Sequence, residues 1–179
     1  MSRIIAIYGI IAGAIVAVGM MVSMATGVAM GMAGMAIGYL TMLIALSMVF
    51  AGIKRYRDVH CGGAIRFSTA LGVGLGISVI ATLFYVVGWE IYLYGTDYQF
   101  MPDYIAATLE AKRQAGANAA ELKRMAAEMQ GYLTAYADPV TRVLMTFSEI
   151  APVALLMTLI SALLLRRPGF MPARPTATL

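Results

Sequence analysis

The sequence predicts an all-α integral membrane protein: a four-helix bundle with an extramembrane helical insert between the third and fourth spans. Three observations carry that prediction. Hydrophobic residues make up 61% of the 179 and charged ones only 12%, and the mean hydropathy is +0.81, a balance foreign to water-soluble domains. The apolar residues fall into four stretches of roughly 20, the length that crosses a hydrocarbon core about 30 Å thick. Between the third and fourth, the composition turns to Ala, Glu, Lys and Arg, residues that form water-facing helices.

Taken in order, the spans fall near 4–24, 35–53, 71–92 and 143–165 of a single membrane domain, with the insert at about 97–140. Arg3 precedes the first span, and the opening resembles a signal peptide, with Ser23 and Ala25 as small residues near its end. The apolar run exceeds the 7–15 residues typical of a signal core, which favours an uncleaved anchor. Gly9 and Gly13 in this span, and Gly72 and Gly76 in the third, have the spacing that lets helix backbones approach closely. Ordinary packing within one chain is the plainer reading, a dimer face the sharper one.

Orientation follows from the distribution of Lys and Arg, which accumulate in cytoplasmic loops. Arg3, Lys54, Arg55, Arg57, Arg66, Arg166, Arg167 and Arg174 lie on one side with a single acid, Asp58; the insert is close to neutral and 25–34 carries no charge. Both termini are therefore expected in the cytoplasm of a bacterial inner-membrane, multi-pass protein, with the insert periplasmic. Tyr39, Tyr85, Trp89, Tyr92 and Tyr94 gather toward the periplasmic side, as interfacial aromatics do. The net charge of +4 is then topology information; the basic loop 54–66 is short, suits lipid headgroups, and has no aromatic platform for nucleic acid. Cys61 cannot form an internal disulfide and faces the reducing side.

Within the insert, 103–114 reads as a short helix broken near Gly116. Asn118 and Glu121 have capping-box spacing for a second helix, and Asp138-Pro139 stops it. Leu122, Met125, Met129, Leu133 and Tyr136 follow at helical offsets as a candidate interaction stripe. It could fold onto the shorter helix, rest on the membrane, or receive a partner protein or a second copy. Mixed charge on the opposite face speaks against the membrane surface.

The candidate polar site lies inside the spans. Glu90 and Glu149 are the only acids there, with no base in the same stretches, and buried carboxylates usually face a bundle interior or a water-filled cavity. Pro152 removes the regular donor to the Ser148 carbonyl, so a bend and a small polar cluster of Ser148 and Glu149 are expected. If Glu90 and Glu149 meet, repulsion would let them share a proton; the plainer reading is a protonated or hydrogen-bonded Glu149. Met30, Met32 and Met35, after Met20, Met21 and Met24, offer soft thioethers of the kind that bind copper(I), although methionine is also ordinary packing material. His60 and Cys61 are too few for a structural zinc site, and no nucleophile motif accompanies them. Neither an enzyme nor a bound cofactor is expected.

The segments Tyr8-Gly9-Ile10-Ile11-Ala12-Gly13, Gly38-Tyr39-Leu40-Thr41-Met42, Gly52-Ile53-Lys54-Arg55-Tyr56-Arg57-Asp58 and Gly62-Gly63, continued by Trp89-Glu90, Met101-Pro102-Asp103-Tyr104 and Phe147-Ser148-Glu149 with Pro152, resemble a bacterial membrane family known as a domain of unknown function, the DUF numbered 4199. The resemblance extends to Arg167. It implies a compact multi-span protein with an insert before its last span, and supplies no reaction, ligand or active site. The function expected from all of this is a structural or interaction role in the cell envelope. The alternative is a small proton- or cation-coupled transporter using Glu90 and Glu149.

Overall fold

The structure, a computed structural model, describes residues 1–25 and 31–172; of residues 25 and 31–33 it describes the backbone alone. The described residues form six helices and no strand: α1 (Ser2–Ala25), α2 (Gly31–His60), α3 (Phe67–Gly95), α4 (Phe100–Gln114), α5 (Ala119–Ala137) and α6 (Pro139–Leu165). Four stretches are long and apolar enough to cross a membrane: Ser2–Met24, Gly34–His60, Phe67–Gly95 and Pro139–Leu165. Each contains one of the expected spans and runs past it, because a helix continues through polar turns that a hydropathy count excludes. Their outward faces carry Ile10, Val18, Ile44, Leu83, Leu144 and Leu156, all exposed. An apolar surface shared by four helices is suited to lipid and not to water.

The four long helices pack in pairs. α1 and α6 each lie on α2 and α3, which also touch each other. Leu46, Val49 and Ile53 of α2 meet Val73 and Ile77 of α3, together with Ala12, Ala154 and Leu165, in one buried cluster. Ser78 and Thr158 hydrogen-bond through their hydroxyls at 2.9 Å inside the α3–α6 contact, which satisfies two groups that hydrocarbon would otherwise strand.

The glycines show how α1 gets so close to α3. A Cβ on Gly9 would stand 2.7 Å from Ile80 Cβ, and one on Gly13 would stand 2.5 Å from Phe84 Cγ and 2.6 Å from Phe84 Cβ. The Gly9/Gly13 pair therefore serves packing within one chain. Gly72 differs, since a Cβ there meets none of the described residues within 4 Å. Gly13→Ala is accordingly expected to destabilise by about 1–3 kcal/mol through overpacking, partly offset by the better helix propensity of Ala. Gly72→Ala should be neutral, or stabilising by up to about 1 kcal/mol. Thermal unfolding of the two variants in mild detergent checks the pair; equal midpoints would refute the close approach.

At the end of the helices that carries both described chain ends, Arg57 is fully buried. Its Nε donates to Asp58 at 2.8 Å, Nη1 to the Phe170 carbonyl at 2.8 Å and Nη2 to the Met171 carbonyl at 2.6 Å. Phe170 meets Phe50 edge-on, with ring centroids 6.3 Å apart. The basic stretch after the second span thus does more than mark topology: one of its four cations ties the chain beyond α6 to α2. Arg174 lies outside the described residues.

α4 and α5 form a hairpin through Gly116, whose φ of +92° is a left-handed value that glycine adopts without a side-chain clash. α4 begins at Phe100, three residues earlier than expected. Asn118 accepts from the Glu121 amide at 2.9 Å, as its capping position requires. Asp138 ends α5 and also caps α6, accepting from the Thr141 amide at 2.7 Å, with Pro139 at the first helical position. That amide holds the exposed Asp138 carboxyl below the usual carboxylate range.

Candidate functional site

Two polar features form where α3 and α6 approach the α4–α5 hairpin. The first depends on the start of α6. Because Asp138 and Pro139 begin the helix before the expected boundary of 143, Arg142 falls in its first turn and is 5% exposed. From there the guanidinium reaches back to α3, donating from Nε to Glu90 Oε1 at 2.9 Å and from Nη2 to Oε2 at 2.7 Å. A bidentate pair of this kind is among the stronger charge-assisted contacts. Nη1 adds a bond to the Tyr136 carbonyl at 3.2 Å.

Aromatic rings complete this junction. The guanidinium lies 4.8 Å from the Tyr98 ring centre and 5.9 Å from that of Tyr136, within cation–π range. Tyr98 is delivered by a strained turn: Asp97 and Tyr98 both have positive φ, 49° and 57°, a conformation uncommon for residues other than glycine. The Trp89 indole donates to the Tyr136 hydroxyl. Burial pushes that hydroxyl up to about 12, so it stays protonated at neutral pH. Phe100 at the start of α4 packs edge-on against Trp89 at 4.8 Å.

Glu90 is therefore half of an ion pair with Arg142 and makes no hydrogen bond to Glu149. The expectation that the spans hold two acids with no basic residue in the same stretches is corrected here, because Arg142 belongs to α6. The reason is geometric, since a hydropathy boundary placed Arg142 outside a helix that its cap in fact begins four residues earlier. The stripe residues Leu122, Met125, Met129, Leu133 and Tyr136 are all half-buried, and α5 packs on both α4 and α6.

The second feature is Glu149, seven residues beyond Arg142 and so about 10 Å further along α6. Tyr85 donates to Glu149 Oε2 at 2.9 Å. Ser148 is exposed and donates instead to the Met145 carbonyl at 2.7 Å, so the two neighbouring side chains do not form the expected cluster. Pro152 lies inside α6, which continues through it to Leu165. Beside Glu149 is a cavity of about 260 Å³ lined by α1, α2, α3 and the hairpin, including Met20, Met42, Tyr85, Trp89 and Tyr104. A smaller hollow of about 210 Å³ shares Met35, Gly38, Met42, Tyr85 and Glu149 with it and extends past Tyr39. Tyr39 and Glu149 are exposed there, so the space opens between α2 and α6.

Among the described residues no three His, Cys, Asp or Glu side chains converge as a metal site. His60 packs on Tyr56 at 5.2 Å, and Cys61 is a half-buried free thiol. Of the methionines proposed for copper, Met20, Met24 and Met35 line the larger cavity; Met30 and the Met32 side chain lie outside the described residues. The sequence signal that would have found Arg142 is its cap: Asp138-Pro139 sets the helix start, and an arginine one turn later faces whatever the helix packs against.

A family model described as a protein of unknown function, DUF4199, matches residues 7–167. No curated protein and no solved structure matches the chain.

Proposed function

We propose, for a chain that belongs to the DUF4199 family of proteins of unknown function, a structural or interaction role in the bacterial cell envelope. In this reading the four long helices cross the inner membrane as a bundle, both termini are cytoplasmic, and α4–α5 stands in the periplasm as a platform for a protein partner or a second copy. The distribution of basic residues supports the orientation. A periplasm-confined thiol reagent should label a cysteine placed at Asn118 and leave native Cys61 untouched.

The observation that carries the interaction role is the fastening of the hairpin. The Trp89–Tyr136 bond ties it to α3, and the Arg142 guanidinium, fixed on α3 by Glu90, ties it to α6 through the Tyr136 carbonyl and ring, while its outer face stays free of the long helices. On that face Arg124, Glu128 and Tyr132 succeed one another by a turn and are 76%, 68% and 63% exposed. Exposed Arg and Tyr on a rigid helix are the residue types that dominate protein interfaces. A photo-crosslinking residue at Tyr132 in growing cells should give a discrete adduct, lost when Arg142→Ala loosens the hairpin. Absence of an adduct from Arg124, Glu128 and Tyr132 alike would refute the role.

The cavity at Glu149 supports the alternative, a small proton- or cation-coupled transporter. That reading now rests on Glu149 alone, because Glu90 is held by Arg142. Flux into liposomes carrying the wild type, compared with Glu149→Gln and with empty vesicles, separates the two.

A further inference from the structure

We infer that the cavity beside Glu149 is a binding site for a small amphiphilic organic monocation of the quaternary-ammonium class, admitted between α2 and α6. The inference rests on the long helices crossing a bilayer and is independent of the hairpin's partner.

Charge comes first. Glu149 has a hydrogen bond from Tyr85 and no ion-pair partner among the described residues. Among the described residues no Lys or Arg lines the cavity, and the nearest base along α6, Arg142, is already engaged by Glu90 and two tyrosine rings. A carboxylate at this depth in a bilayer is costly without a countercharge. A ligand bearing one positive charge supplies it.

The walls select the kind of cation. Trp89, Phe100 and Tyr104 line the cavity, and aromatic faces attract quaternary ammonium groups, which cannot hydrogen-bond, through the ring quadrupole. Met20, Met35 and Met42 add flexible, polarisable thioethers that mould to apolar substituents. At about 260 Å³ the space lies just below the roughly 300–1,000 Å³ typical of small-molecule pockets, and a bare metal ion would leave most of it empty. The opening past Tyr39 faces the surface on which the apolar side chains of α2 and α6 are exposed, so a ligand already partitioned into lipid reaches Glu149 sideways.

Trp89 is the only tryptophan of the chain and lines the cavity, so its fluorescence reports occupancy directly. The experiment titrates the purified full chain in mild detergent with benzyltrimethylammonium and with neopentylbenzene, its uncharged carbon isostere. The cation should bind saturably and about tenfold more tightly than the isostere, a difference within reach of one carboxylate and an aromatic wall. Glu149→Gln should weaken the cation several-fold, leaving only the part of the preference that the aromatic wall supplies, and should leave the isostere's affinity unchanged. Gly38→Leu, which grows a side chain where a Cβ meets none of the described residues within 4 Å, should weaken both ligands at unaltered helix content. Equal affinity for cation and isostere in the wild type, no saturable response to the cation, or unchanged cation affinity in Glu149→Gln overturns the proposal. Should Glu149→Gln fail to fold, the wild-type ratio and Gly38→Leu decide.

Discussion

Arg142→Ala is expected to destabilise the protein by about 3–5 kcal/mol, the usual cost of removing one partner from a buried ion pair. The size comes less from the lost attraction than from what remains. Glu90 would keep a carboxylate only 28% exposed with no donor in place of the two it has now, and the Tyr136 carbonyl would lose the Nη1 bond. Arg142→Lys should recover only part of the loss, because an ammonium cannot make the same two parallel bonds. In Glu90→Leu/Arg142→Leu neither charge is left stranded, and the double variant should lie far closer to the wild type than either single change. Thermal or denaturant unfolding in detergent measures the cycle. Additive single and double effects would mean that the two residues do not act as a pair. The hairpin supplies a second readout, since Tyr98 and Tyr136 both lean on the guanidinium, so the α4–α5 segment should become cleavable by protease in Arg142→Ala before the long helices unfold.

Arg57→Met should cost about 3 kcal/mol at the opposite end of the helices, on the scale of one or two hydrogen bonds to a charged donor. The substitution keeps much of the side-chain volume and deletes the bonds to the Phe170 and Met171 carbonyls. Asp58 retains Lys54, which is why the expected loss is smaller than for an isolated pair. Arg55 is exposed on the same helix, and Arg55→Met should change stability by no more than about 0.5 kcal/mol. Trypsin gives the local readout: cleavage after Arg166, whose neighbour Arg167 is not followed by a cleavable bond because of Pro168, should accelerate in Arg57→Met and not in Arg55→Met. Equal cleavage in both would show that the segment is held by something other than the guanidinium.

Local elements were legible wherever one stretch of chain carries all the information. The four apolar runs, the Asn118 cap and the break at Asp138-Pro139 each depend on residues within a turn or two of one another: each run lies inside a long helix, Asn118 caps α5, and Asp138 separates α5 from α6. The Gly9/Gly13 spacing was legible as close packing, while only the fold could say that Ile80 and Phe84 fill the space and that Gly72 faces none. Glu149 was identifiable because a carboxylate in an apolar run is costly wherever the helix goes.

What the sequence determined by itself is hydropathy, because it sums over local windows: four of them are long and apolar enough to cross a membrane whatever their arrangement. What only the tertiary structure decided is which charges meet. Arg142 and Glu90 are 52 positions apart, and Arg57 and Phe170 are separated by 113; no local pattern encodes such pairs, because a salt bridge depends on distance in space after helices have packed. Arg142 takes Glu90 as its partner and Glu149 accepts from Tyr85, and that division of two similar acids into a clamp and a cavity wall is a consequence of packing.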